Sequence, residues 1–358
     1  MADIIDYLEW RGDIPFSVSP FNEIDGAVLS RLVYQRFELA GDMKGKSVEE
    51  AAKAVLSVPD IDRKVFTPRD LDLMKVISTT PRFSSLSVLD FSDVTGDELQ
   101  FTALTLLERN TDTLLVFFRG TDGSLGGLKE DFNMSFMTTI EGQTRALEYF
   151  DYMKDLSKGG IIIGGHSKGG NYALYCGSFT DENTQKRISG IYNYDGPGFE
   201  RSILDTEGYK RICPVLETYV PQSSIVGMML EHDEKYTIVH STKSSIAQHN
   251  IYSWEVKGTK FVYMESTTQS SRFIDLTLKG WLRNLDREKR GEFIDGVYTI
   301  MEKSGIESIG ELREGWIRNG INIVKSYRSL PEETRKTLSE GISVLVEASR
   351  DSLRELRK

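Results

Sequence analysis

A chain of 358 residues is long enough for one large α/β domain with an appendage, or for two domains. Hydrophobic residues make up 39% and charged residues 27%, an ordinary globular balance rather than that of a disordered or membrane protein. The net charge of −10 repels phosphate everywhere except at a local basic patch, so nucleic acid is not an expected partner.

The chain opens on "MADIIDYLEWRGDIPF", acidic where a secretory signal would be basic, and no apolar run approaches the roughly 18 residues of a membrane span. The expectation is a cytoplasmic protein with no stable membrane insertion. Residues 1–83 read as a helical segment packed on a core. In "NEIDGAVLSRLVYQRF", Ile24, Val28, Leu29 and Leu32 share a helix face, and "SVEEAAKAVLS" opens on a Ser-x-x-Glu capping pattern.

From residue 84 the period changes. "SSLSVLDFSD", "LQFTALTLLE" and "DTLLVFFRG" are short β-rich runs divided by turn signals at Thr95-Gly96-Asp97 and Asn110-Thr111-Asp112. The unbroken apolar run "LLVFFRG" marks a strand covered on both faces, and "GGIIIGGHS" and "SGIYNYDGPG" repeat it with helical stretches between. Such alternation means a mostly parallel sheet flanked by helices. Further strands are expected at "PVLETYVP" and "KYTIVHST", and a last one at "SWEVKGTKFVYM". The α/β core therefore spans 84–267. Residues 268–358 form a helical region, with Phe293, Val297, Ile300 and Met301, then Leu338, Ile342, Leu345 and Val346, at helix-face spacing. Packing against the core is its expected role; a cap over a site and a homodimer surface are the alternatives.

Chemistry concentrates in "IIIGGHSKGGNYALYC". Ser167 follows a buried strand and precedes a helix, and Gly165-His166-Ser167-Lys168-Gly169 fits G-x-S-x-G. In this nucleophile elbow the serine occupies a very tight turn, and glycines on either side let strand and helix approach without Cβ clashes. A phosphate-binding turn is the competing reading, but the stretch lacks the Gly-Lys-Ser/Thr ending of a P-loop and the Gly-x-Gly-x-x-Gly of a dinucleotide site. The four histidines, His166, His232, His240 and His249, form no HExxH-like pair, and Cys176 and Cys213 are too few for a disulfide framework, so no metal or cofactor is called for.

A serine nucleophile needs a base, an acid to orient the base, and donors for the oxyanion. Asp195 stands at the end of the strand after the elbow, where catalytic groups gather in open α/β sheets. His249, on the polar loop "SSIAQHNIYSW", is the preferred base, ahead of His240 and His232. His166 precedes the nucleophile, points away from the attack direction and buttresses the turn.

Taken together, "LLVFFRGTDGSLGGLKEDF" and "IIIGGHSKGGNYALY" resemble the class 3, fungal lipase-like α/β-hydrolases, over about residues 84–260. An acidic N-terminal segment of this kind suggests a bacterial branch of that superfamily. The resemblance implies an α/β-hydrolase fold and a serine esterase acting on a small acyl substrate, a lipid-like ester among them. It assigns the oxyanion donors to Thr121 and to the backbone N–H of Lys168, and a loop-holding role to Arg119.

Two features depart from the family pattern. Lys168 replaces the usual apolar residue, setting a cation at the site mouth or beside a carboxylate, which favours substrates that carry an anionic group. The family's Asp-x-Val-Pro acid is missing from "LETYVPQSSIVGMM", which makes Asp195 a replacement, with Glu217 as runner-up and Ser223 or Ser224 as neutral partners for the histidine. The apolar run from Ile225 to Leu230 reads as a short buried helix, an acyl pocket or a lid. Two other functions use the same residues: acyl transfer, and a catalytically degenerate scaffold that binds a partner.

Overall fold

The computed structural model describes residues 1–95, 99–121, 125–134, 137–304 and 316–356. Gly96 and Asp97 of the first expected turn lie outside the described residues. The chain divides into two compact units. The first comprises Met1–Val94, Phe101–Gly120 and Glu141–Thr267; the second comprises Thr95–Gln100, Thr121–Ile140 and Thr268–Lys358.

Seven strands form one sheet in chain order: β1 (Ser87–Thr95), β2 (Gln100–Glu108), β3 (Thr113–Phe118), β4 (Ile161–His166), β5 (Ile188–Tyr194), β6 (Leu216–Pro221) and β7 (Tyr236–Val239). The β2–β3 pair is antiparallel and β3 to β7 run parallel. Helices cover both faces, which makes this the mostly parallel, helix-flanked sheet of an α/β protein. Burial on both faces explains why β3 and β4 show no polar alternation.

Strand order equal to chain order has a further consequence. Right-handed crossovers that always step the same way lay their helices on one face of the sheet. On that face helix Lys168–Phe179 lies so close that a Cβ on Gly177 would stand 2.5 Å from Ile191 Cδ1. The opposite face is left to the N-terminal segment. Helix Glu23–Leu32 fills it and is buried along its entire length, with Gly26 against Tyr194 and Tyr192. Tyr192, Tyr194 and Tyr219 stack in a row beneath it. Asn22 caps this helix and Ser47 caps helix Val48–Leu56, each in a reciprocal capping box; the Ser47–Glu50 box is the one the sequence spells out.

A helix buried all round must also bury its polar residues, and its charged ones, Glu23, Asp25 and Arg31, are each paired, while the Ser30 hydroxyl has no partner among the described residues. Asp25 accepts from Arg82 Nε at 2.7 Å, Arg82 Nη2 at 2.5 Å and the Tyr7 hydroxyl at 2.8 Å. Arg82 also donates to the carbonyls of Ile14, Ser19 and Pro20, tying the entry segment to the helix. Asp25→Ala strands that guanidinium in the core, and the expected cost, read by denaturant unfolding, is about 3–5 kcal/mol.

The expected last strand over residues 253–264 is instead a small hairpin, Val256–Lys257 against Lys260–Phe261. Gly258, at φ +68, supplies the left-handed turn that breaks the run. In the second unit, helices Gln269–Asn284 and Glu332–Glu355 pack closely. Trp281 Nε1 donates to the Gly341 carbonyl at 3.0 Å, and a Cβ on Gly280 would stand 3.1 Å from that of Ala348. Among the described residues no helix is long and apolar enough to cross a membrane.

Candidate active site

Strand β4 ends at His166 and the next helix starts at Lys168, so Ser167 alone makes the turn. Its backbone sits at φ 59 and ψ −135, a conformation that costs a non-glycine residue roughly 1–3 kcal/mol. The neighbouring glycines permit it. A Cβ on Gly165 would lie 2.3 Å from the Gly169 carbonyl carbon, and one on Gly169 would lie 2.1 Å from the Phe118 oxygen. Backbone meets backbone at both points, so no side chain could yield. Gly120 plays the same part from β3's end, where a Cβ would stand 2.6 Å from the His166 oxygen and 2.7 Å from Ser167 Cβ.

Asp195 follows β5 directly, at φ 53, and is 1% exposed. Its N–H donates to the Tyr219 carbonyl at 2.8 Å, which fixes the turn against β6. Its Oδ1 accepts from the Ser224 hydroxyl at 2.5 Å and the Gly227 N–H at 3.1 Å; its Oδ2 lies 2.6 Å from His249 Nδ1. A carboxylate so dressed orients the imidazole with Nδ1–H toward itself and leaves Nε2 as the acceptor. The structure thus brings Asp195 and His249 together, and the His249 ring centroid lies 4.4 Å from that of His166, the residue before Ser167. Among the described residues Ser167 Oγ makes no hydrogen bond to His249. Such bonds commonly tighten only when substrate is bound.

The other histidines are engaged elsewhere. His240 Nδ1 pairs with Glu255 at 2.7 Å, and His232 Nδ1 pairs with Glu234 at 2.8 Å. Glu234 also accepts from the Tyr209 and Thr218 hydroxyls, and these bonds, with His232, outweigh burial and hold its carboxyl down at about 2. Glu217 accepts from the Tyr219 hydroxyl, whereas the carboxylate that His249 meets among the described residues is that of Asp195. Ser224 reaches Asp195 rather than the histidine, so it is no neutral stand-in for the acid. Ser223 donates its N–H to Gln248 Oε1 at 2.8 Å, beside His249 in the chain.

Of the two placements expected for Lys168, the open mouth is excluded. Lys168 is 1% exposed, with Nζ 6.0 Å from the Tyr172 ring, so its charge does not stand at an open mouth. Arg119 is buried, with Nη2 3.3 Å from Asp93 Oδ1. Thr121 belongs to the second unit, where its hydroxyl donates to the Asp131 carboxylate at 2.7 Å. That leaves its backbone N–H as the group free of a side-chain role. The apolar run after Ile225 forms a single 3-10 turn, Val226–Met228, instead of a helix.

Two parts of the site escaped the sequence reading. The Ser224–Gly227 cradle under Asp195 carried one faint signal, an isolated glycine in an apolar run; a Cβ on Gly227 would lie 2.4 Å from Asp195 Oδ1. Tyr34, which touches His166 and Gly120, carried none. Among the described residues no group of three His, Cys, Asp or Glu side chains converges as metal ligands.

Comparison with solved structures finds lipases of low identity. The native Rhizomucor miehei lipase propeptide complex is 14% identical over 44% of this chain and 57% of that one, with a TM-score of 0.31. This chain therefore spans less than two thirds of that lipase's length. Lipase II from Rhizopus niveus is 16% identical over 60% of this chain and 78% of its own, at 0.38. The crystal structure of a fungal lipase is 12% identical over 68% and 84%, at 0.39. No curated protein matches. Residues 77–299, more than half of the chain, match one family model, and the chain belongs to the Mbeg1-like family.

Proposed function

We propose that this protein is a serine hydrolase that cleaves a carboxylic ester or a related acyl bond through an acyl-enzyme on Ser167. The observation that carries the reading is the Asp195–His249 hydrogen bond of 2.6 Å, set beside a serine held at φ 59 in a glycine-lined elbow. His249 Nε2 takes the Ser167 proton as Oγ bonds to the acyl carbon. The resulting imidazolium is stabilised by Asp195 and gives the proton to the departing alcohol oxygen. Water then attacks the acyl-enzyme by the same exchange and frees the acid and the serine.

The oxyanion is assigned to the backbone N–H of Lys168 and that of Thr121, the residue after Gly120. Backbone donors need no reorganisation during the reaction, and each such donor is worth about 10²–10³ in turnover. Burial of Lys168 removes the reason to favour anionic substrates, so a neutral acyl ester is the substrate class.

Turnover of p-nitrophenyl esters from acetate to decanoate tests this reading. The expected result is saturable release of nitrophenolate with a maximum at one chain length, lost on His249→Ala. Absence of turnover across the whole series by folded protein would contradict it.

A further inference from the structure

We propose that Tyr34 is a positioning residue of this site: its hydroxyl fixes the tautomer of His166 and, through that ring, the seat of His249. The inference rests on the reading of Ser167 and His249 as a reacting pair. Tyr34 follows helix Glu23–Leu32 in the N-terminal segment and is 4% exposed.

The tautomer follows from what the ring faces. His166 Nε2 lies 2.6 Å from the His249 carbonyl oxygen. A carbonyl only accepts, so Nε2 carries a proton and donates. Burial, with His249 and Arg31 nearby, pushes the ring's pKa well below the ordinary histidine value, so no second proton is held. Nδ1 is then an acceptor, and the Tyr34 hydroxyl, 3.1 Å away, is its donor. The same hydroxyl accepts the Gly120 N–H at 3.0 Å.

One hydroxyl therefore joins three segments of the site. Gly120 abuts Ser167, His166 precedes it, and the His249 backbone closes the chain of bonds. The grip is reinforced from the same helix. Arg31 lies 4.2 Å over the Tyr34 ring and pairs with Asp70 at 2.5 Å, and Asp70 accepts the hydroxyl of Tyr252, three residues beyond His249, at 2.8 Å. The N-terminal segment thus reaches the base's loop at two points, through His166 at His249 and through Asp70 at Tyr252.

Tyr34→Phe keeps the ring and its stacking on Arg31 while removing the hydroxyl. A displacement of about 1 Å in a reacting group costs on the order of 10²-fold, so kcat for a p-nitrophenyl ester should fall about ten- to a hundredfold. KM should stay within about twofold, because bound substrate is not touched. Val28→Ala, in helix Glu23–Leu32 and outside this network, is the control for plain loss of stability; below its unfolding midpoint kcat should match wild type. An equal fall in both variants, or none in Tyr34→Phe, overturns the inference.

Long-range ¹H–¹⁵N spectra of the histidines, with His166 assigned from the His166→Gln spectrum, read the network without activity. The expected pattern is the neutral Nε2–H form at pH 7. An Nδ1–H or protonated His166 overturns the inference in an active enzyme or an inert one. If the tautomer is as stated but wild type turns over no ester, the serine-hydrolase reading falls and the positioning role with it, while the hydrogen-bond network stands.

Discussion

Ser167→Ala is expected to lower kcat by on the order of 10⁶ and to leave the protein about as stable as before. The two halves of the prediction have different causes. The nucleophile's oxygen has no substitute, since neither neighbour, His166 nor Lys168, is exposed in the structure. Stability is preserved because alanine at this position carries the same strained φ of 59 that serine does. The change in unfolding free energy should stay within about 0.5 kcal/mol. Ser167→Gly separates the two effects: it is equally inactive, but relief of the backbone strain should stabilise the protein by about 1 kcal/mol. Denaturant unfolding of the three proteins together with ester kinetics checks both. An active Ser167→Ala protein would remove the serine from the mechanism.

Asp195→Asn is expected to lower kcat by on the order of 10⁴ with the fold intact. Position 195 lies at φ 53, a conformation asparagine adopts readily, so the backbone tolerates the change. Two donors, the Ser224 hydroxyl and the Gly227 N–H, meet Oδ1. The amide oxygen must stay with them, which turns the amide nitrogen toward His249. An N–H facing Nδ1 forces that nitrogen to become the acceptor and moves the ring proton to Nε2, the atom that has to accept the serine's proton. The variant is thus trapped in the wrong tautomer. A fall of less than about tenfold would show that His249 does not depend on this carboxylate. Ser224→Ala, which removes one donor to Oδ1 and leaves Oδ2 on His249, should fall well short of the Asp195→Asn loss.

Local contacts were readable from the sequence, and convergent ones were not. The elbow could be recognised because its glycines answer to contacts within a few residues, Gly165 against Gly169, together with one strand beside them at Phe118. The strand runs of β3, β4 and β5 were legible because burial on both faces removes polar alternation. The capping box of Ser47 and Glu50 was legible because both partners lie within one helical turn. Asp195 was reached from its place at the end of a strand, not from its partners. Its hydrogen bonds come from residues 29, 32 and 54 positions away, and no local pattern encodes such meetings. The burial of Lys168 was not legible because residue type says nothing of it: its helix is buried from Lys168 to Ser178, so the cation stands inside rather than at an open mouth. Gly258 was overlooked as a turn, which made one strand of a hairpin. Tyr34 had no signal, since helix Glu23–Leu32 covers the second sheet face and is buried on all sides.

Covalent labelling reads whether Ser167 is an activated nucleophile. Purified protein would be treated with a fluorophosphonate probe, digested and mapped, with Ser167→Ala as control. A single modified peptide bearing the probe on Ser167 is expected, with no labelling of the variant. A folded wild-type protein that takes up no probe, or takes it up at another serine, would contradict that role of Ser167.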